Sequence, residues 1–486
     1  MNPLKKLFKQ TFIYGLATVL PRMLSFLLLP LYTDILATSG YGEVSVIFAW
    51  FAIFNVLLAY GMETAFFRFY HSAENKSKVI STALISVLGT TSIFLMLALL
   101  FQDQMANFTN IDAKYIKYAI YILALDALVI VPFAWLRATE KPMRYALVKI
   151  GNVGINFGLN IFFLLVLPKI ISDNPDSFLA AIYRPNFEIS YIFISNLAAS
   201  GITLLFMFRL YVQRPYVFDR QLWKKMIKYA LPVMFAGIAF TINEVFDRIM
   251  LSELLPIDIA ESEIGKYAAC YKLALFMTLF ATAFRMGIEP FFFSHSSSEN
   301  PQKTYAQITN YFVILGSIIL LGVVVFADVL KEIFIPNPDY WEAMPMVPLI
   351  VLASFFLGIY HNLSVWYKVT DRTKFGAYIS LTGAIITIGI NYAFIPSIGY
   401  YASAIATLAA YGTMMLLSYY FGKKYYPVPY NFRKIIFYLS ISVLFSTLSF
   451  YVFNRNLILG GILLLVFLGI VYKLENDTLK KIFLKK

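Results

Sequence analysis

The stretch GMETAFFRFYHSAEN, Gly61 to Asn75, closes one long apolar run, and GIEPFFFSHSSSEN, Gly287 to Asn300, closes another. In each, a glutamate follows a glycine by two residues and precedes a Phe-Phe pair by three; Glu63 and Glu289 stand 226 positions apart (289 − 63). Two more echoes keep the same order. KKLFKQ at Lys5 returns as KKMIKY at Lys224, an offset of 219 (224 − 5). ATEKPMRYALVKIGNVGINFGLN returns as VTDRTKFGAYISLTGAIITIGIN at an offset of 231 (370 − 139). There Thr139, Glu140, Lys141, Gly158 and Asn160 match Thr370, Asp371, Arg372, Gly389 and Asn391. Each echo is short alone. In order, with offsets that drift only as loop insertions would make them, they indicate an internal duplication.

The duplicated material is membrane sequence. Hydrophobic residues make up 60% of the 486, charged residues 14%, and the mean hydropathy is +0.71. Soluble domains carry about 45–50% apolar and about 25% charged residues. Helices are the expected spans because they satisfy their own backbone groups. The apolar runs are continuous rather than alternating, which argues against a membrane β-barrel. At about 20 apolar residues per crossing, about fourteen spans are expected. Those that matter most below fall near 11–36 (span 1), 43–67 (span 2), 115–137 (span 4), 145–168 (span 5), 229–253 (span 7), 265–294 (span 8) and 343–367 (span 10). The apolar run of span 1 is too long for a signal-peptide core and lacks a small-residue cleavage site.

Basic residues test the count. With alternate loops taken as inside, 29 Lys and Arg fall inside and 7 outside. The excess predicts both termini in the cytoplasm and an even number of spans. The same rule accounts for the net charge of +13 without a nucleic-acid partner. Pairing spans 1–6 with 7–12 gives two lobes of equal orientation, expected to be related by an axis along the membrane normal, with a substrate site where they meet. The expected division is an N-lobe 1–215, a C-lobe 216–425, and 426–486 holding spans 13 and 14 with a basic cytoplasmic tail. Cys270 is the one cysteine, so no intramolecular disulfide exists, and its apolar setting reads as packing.

Together these features resemble the MOP exporter superfamily, and most closely its polysaccharide (O-antigen type) flippase branch. The resemblance rests on the 6+6+2 layout, on YGLATVLPRMLSFLLLPLYTDILATSGYGEVSV in the first two spans, and on GMETAFFRFY closing the second. It implies an all-α integral membrane protein with a MATE-like fold and a central cleft lined largely by spans 1, 2, 7 and 8. The implied substrate is an oligosaccharide on undecaprenyl diphosphate, a repeat unit of O-antigen, capsule or exopolysaccharide, flipped across the bacterial cytoplasmic membrane by alternating access. Expected partners are the lipid-linked oligosaccharide, membrane lipids and the glycan polymerase or glycosyltransferase machinery. A lipid II flippase and a MATE-type cation-coupled drug exporter stand as alternatives within the fold. A membrane-embedded polysaccharide polymerase is the rival from another class. Against it, the longest outside loop, about Lys169 to Phe187, is far below a catalytic domain in size. No HExxH, GxxxxGK[ST] or GxSxG motif occurs, so an enzyme is not expected. His71, His295 and His361 are scattered, none at metal-ligand spacing. No cofactor is expected, with H+ or Na+ as candidate coupling ions.

Four cations lie within expected spans: Arg22, Arg248, Lys272 and Arg285. A charge there costs at least about 2.5–3.5 kcal/mol, so it faces a cavity or a partner. From the 1.5 Å rise per residue, Arg22 lies roughly 20 Å and Arg285 roughly 14 Å from the inner boundary, too deep to snorkel. Thr11, Gly15, Thr18, Arg22 and Ser25 share one face of span 1; Thr278, Thr282, Arg285 and Glu289 form a similar stripe on span 8. Arginine binds phosphate through paired hydrogen bonds, so Arg22 and Arg285 are the candidate diphosphate ligands. For Arg285 an ion pair with Glu289 at i+4 is the structural alternative. Arg248 and Lys272, nearer the outer boundary, are expected to pair with Glu244 and Asp247, these four and Glu63 and Glu289 being secondary cavity or gate candidates. Asp126, deep in span 4, is either a proton or sodium site or a packing residue. Asn152, Asn156 and Asn160, with Gly154 and Gly158, read as a close-packing face of span 5. Pro21 beside Arg22 predicts a bend.

Overall fold

A computed structural model describes residues 3–213, 216–294 and 300–483; the side chains of 3–12, 290, 293–294 and 477–483 lie outside the description, Thr11 of the span 1 stripe among them, as does His295 altogether. The described chain is helical, and fourteen helices are long and apolar enough to cross a membrane. They are Ile13–Ile35, Thr38–Ser72, Lys76–Leu100, Ala113–Ala138, Pro142–Asp173, Glu188–Val212 and Arg220–Leu254 as spans 1–7. Spans 8–14 are Ile257–Glu289, Pro301–Val325, Pro338–Val369, Lys374–Ile398, Tyr400–Tyr425, Phe432–Val452 and Leu457–Asn476. The protein is therefore a multi-pass membrane protein. Its contacts divide it into two compact units, 1–265 and 266–486. Span 7 thus groups by contact with spans 1–6.

Polar residues start the helices where the apolar runs begin. The Asn75 side chain accepts from the Lys78 amide, Asp112 from Lys114, Asn431 from Lys434, and Asp219 from both Gln221 and Leu222. Each satisfies amides that the first helical turn leaves open. Pro142 and Pro301 occupy first-turn positions, where a missing N–H costs nothing. Pro21 and Pro232 sit inside continuous helices. The interruption of span 1 comes later, at Leu27 and Leu28, just before Pro30.

Span 2 breaks where the opening stretch begins. Tyr60 (φ 32°) and Gly61 (φ 73°) are left-handed, separating Thr38–Ala59 from Met62–Ser72. A Cβ on Gly61 would run into the backbone of Ala230 on span 7, so glycine is required there twice over. At the other end of span 2, a Cβ on Gly42 would strike the Glu261 carbonyl, and one on Gly265 the Thr38 carbonyl. The Thr38 and Ser262 hydroxyls bond at 2.8 Å in the same crossing. The pairs 38/261 and 42/265 are both 223 apart, within the drift of the repeat, so this contact within the first unit is nearly self-reciprocal.

The duplication is also written in detail. Span 4 ends with Glu140 at φ 53° and the Lys141 amide bonded to the Leu136 carbonyl; span 10 ends with Asp371 at φ 55° and Arg372 bonded to Tyr367. This is one left-handed helix cap built twice. Asn160 and Asn391, both fully buried, each donate to the carbonyl four residues back. The Asn160 carbonyl oxygen accepts from Tyr32, and that of Asn391 from Ser403. Asn152 reaches Thr203 on span 6. Span 5 therefore uses these amides to join helices, as small-residue faces do in membranes. Cys270 is buried, its thiol directed to the Tyr340 carbonyl.

Candidate functional site

In the second unit, the helix Leu275–Ser294 carries Arg285 and Glu289 one turn apart. Span 10, as Val347–Leu363 and Val365–Val369, carries His361 and Lys368 two turns apart. The two helices pack together and bring all four side chains to one pocket, walled by Ile288 and Phe292. Lys368 Nζ lies 2.6 Å from Glu289 Oε1. Arg285 Nη1 lies 3.3 Å from His361 Nε2. A guanidinium can only donate, so this contact requires an imidazole bare at Nε2. Glu289 thus turns to Lys368 rather than to Arg285, the partner that i, i+4 spacing offered. Two cations and one carboxylate leave the pocket with net positive charge.

The first unit repeats part of this. Glu63, in the first turn after the Gly61 break, meets Arg137 Nη1 at 2.5 Å; Arg137 closes the Ile130–Ala138 helix of span 4. Glu63 and Arg137 match Glu289 and Lys368 at offsets of 226 (289 − 63) and 231 (368 − 137). Tyr14 and Tyr145 stack edge-to-face nearby at 5.3 Å, and the Tyr14 hydroxyl is buried without a hydrogen-bond partner. Arg68 lies over the Tyr229 ring, 4.4 Å from its centroid.

Arg22 is exposed on the helix Pro3–Phe26 of the first unit. Arg248 forms a largely buried pair with Asp247 at 3.0 Å and donates to the Glu244 backbone carbonyl at 3.1 Å. Lys272 occupies a short turn, Lys272–Ala274, within span 8, and is half-buried. Asp126 accepts a 2.7 Å bond from Ser200 on span 6. Among the described residues no group of three or more acidic, histidine or cysteine side chains could hold a metal ion.

A sequence profile for the family described as polysaccharide biosynthesis protein matches residues 7–294, more than half of the chain. The chain belongs to the polysaccharide biosynthesis protein family. A second profile, MatE, matches 232–393 of this polysaccharide biosynthesis protein. No curated protein sequence matches it. Among solved structures it is similar to the lipid II flippase MurJ in an inward closed conformation, with a TM-score of 0.75 at 15% identity over 95% of this chain and 99% of that one. It is also similar to an inward-facing multidrug resistance MATE family transporter of the MOP superfamily, at 0.66 and 14% over 83% and 94%. A MOP superfamily transporter from Pyrococcus furiosus gives 0.59 and 13% over 87% and 96%. The fold is thus the MATE-like fold that the resemblance implied. His361, Lys368 and Arg137 were not singled out by sequence. The offset of 231 linking Arg137 to Lys368, set beside the offset of 226 linking the two glutamates, is the signal that would have found the paired bases.

Proposed function

We propose that this polysaccharide biosynthesis protein moves an oligosaccharide carried on undecaprenyl diphosphate across the bacterial cytoplasmic membrane by alternating access. The observation that carries this reading is the pocket of Arg285, His361, Lys368 and Glu289: a cationic site suits an anionic headgroup far better than a cationic drug. Family membership supplies the polysaccharide context. Arg285 is the proposed diphosphate ligand in the second unit, and Arg22 a further candidate in the first. Both termini are proposed to face the cytoplasm, and the glycan polymerase or glycosyltransferase machinery is the proposed protein partner. H+ or Na+ is the proposed coupling ion; Asp126, held by Ser200, is the candidate carrier on span 4.

The test is substrate choice in proteoliposomes containing the purified protein. Translocation of a lipid-linked oligosaccharide, with lipid II and cationic dyes left in place, is the expected result. Movement of lipid II alone would assign the lipid II flippase reading; dye extrusion alone would assign a drug exporter.

A further inference from the structure

The two copies of the repeat offer an internal comparison. Each carries an acid on its second span and a base on its fourth, joined as an ion pair: Glu63 with Arg137 and Glu289 with Lys368. Only the second copy adds to it. Arg285 corresponds to Ala59 at the offset of 226 (285 − 59), and His361 to Ile130 at 231 (361 − 130). The first copy therefore has a neutral pair, with Ala59 and Ile130 at the positions of the added cation and imidazole. The second has the same pair plus a cation and an imidazole, and its net charge is +1 with the imidazole neutral.

The second pocket is also full. With Glu289 on Lys368, about 10 Å³ remains, room for about one water. A phosphoryl group does not fit without a displacement. Arg285 is already engaged with a neutral ring, a weak partner that an anion readily outcompetes. Lys368 is engaged with a carboxylate, which occupies the place and charge of an incoming anion. Glu289 is partly exposed, so its pairing is weak enough to exchange.

We infer that Glu289 is a resident stand-in for the substrate's phosphate: it neutralises Lys368 and fills the pocket until a phosphoryl group displaces it, whereupon Lys368 joins Arg285 as a second phosphate ligand. Displacement raises the local protein charge from +1 to +2, matching the two negative charges of a diphosphate esterified at both ends. Glu63 has no such part, because the first copy carries Ala59 where the second carries Arg285. The inference rests on the proposed diphosphate substrate.

The test measures binding by the full-length protein in nanodiscs, with two probes: inorganic diphosphate in the buffer and undecaprenyl diphosphate in the disc. Glu289→Gln is expected to tighten binding three- to tenfold, Lys368→Gln to weaken it about tenfold, and Glu63→Gln to tighten it less than Glu289→Gln does, with the helix-cap variant Asp219→Asn as the control that leaves it within twofold. Lys368→Arg should restore binding, and Glu289→Asp should bind as the wild type does. A response to the lipid alone assigns the site to a membrane-borne headgroup; a response to both assigns it to the phosphate group itself. Should Glu289→Gln bind no tighter while Arg285→Gln abolishes binding, the stand-in idea is overturned and the diphosphate reading stands. If neither wild type nor Glu289→Gln binds either probe, both are overturned. Should Glu63→Gln tighten binding as much as Glu289→Gln does, the asymmetry claimed between the copies is wrong.

Discussion

Gly61 and Gly287 hold the same place in the two copies and meet different demands. Gly61 is left-handed and lies against the Ala230 backbone; Gly287 is helical with open space where a Cβ would go. A left-handed backbone costs a residue with a side chain about 1–2 kcal/mol, before any clash. Gly61→Ala should therefore lower the melting temperature in detergent by several degrees. Gly287→Ala should leave it unchanged or raise it, since alanine is worth about 0.5–1 kcal/mol over glycine inside a helix. Equal losses for both variants would contradict the break at Tyr60 and Gly61. The two stretches read alike in sequence. The difference lies in what each glycine touches, and Ala230 is 169 positions from Gly61 (230 − 61), beyond any local pattern.

At the scale of the helices, most of what forms was legible and most of the limits were not. Apolar runs locate fourteen spans, yet span 2 was expected over 43–67 and extends over Thr38–Ser72. Helices continue past the apolar run as long as turns can be capped, and capping depends on single polar residues. Asp219 is one such cap. A hydrogen bond from Lys78, and then the Leu222 and Gln221 amides, hold its carboxyl below the usual carboxylate range. A lowered folded value means the stabilisation is present above the ordinary carboxylate range and is lost as pH falls through the folded value. Melting curves of wild type and Asp219→Asn should differ at neutral pH and converge in acid; a gap that widens in acid would contradict the cap. The Glu63–Arg137 pair, about half exposed on both sides, is worth at most about 1 kcal/mol. Reversing either charge alone should destabilise by a comparable amount, and the double reversal Glu63→Arg with Arg137→Glu should recover most of it. No recovery would mean the two side chains do not interact.

For the whole molecule, the duplication decided the fold, and the structure extends it to matching left-handed caps at Glu140 and Asp371 and matching buried asparagines at Asn160 and Asn391. The site was legible only in part. A charge in the middle of a span is conspicuous, so Arg285 stood out. Lys368 did not, because at the end of span 10 it is indistinguishable from the many basic residues that set orientation, and His361 is 76 positions from the arginine it meets (361 − 285). Depth in a span is written in one dimension; a pocket between spans 8 and 10 needs packing. The most direct test of the account is the rate at which the purified protein, in proteoliposomes, translocates an undecaprenyl-diphosphate-linked oligosaccharide, compared between wild type, Glu63→Gln and Arg285→Ala. The account predicts that Glu63→Gln stays near the wild-type rate and that Arg285→Ala falls at least about tenfold, about 1.4 kcal/mol of lost stabilisation. Full translocation by a well-folded Arg285→Ala protein would contradict it.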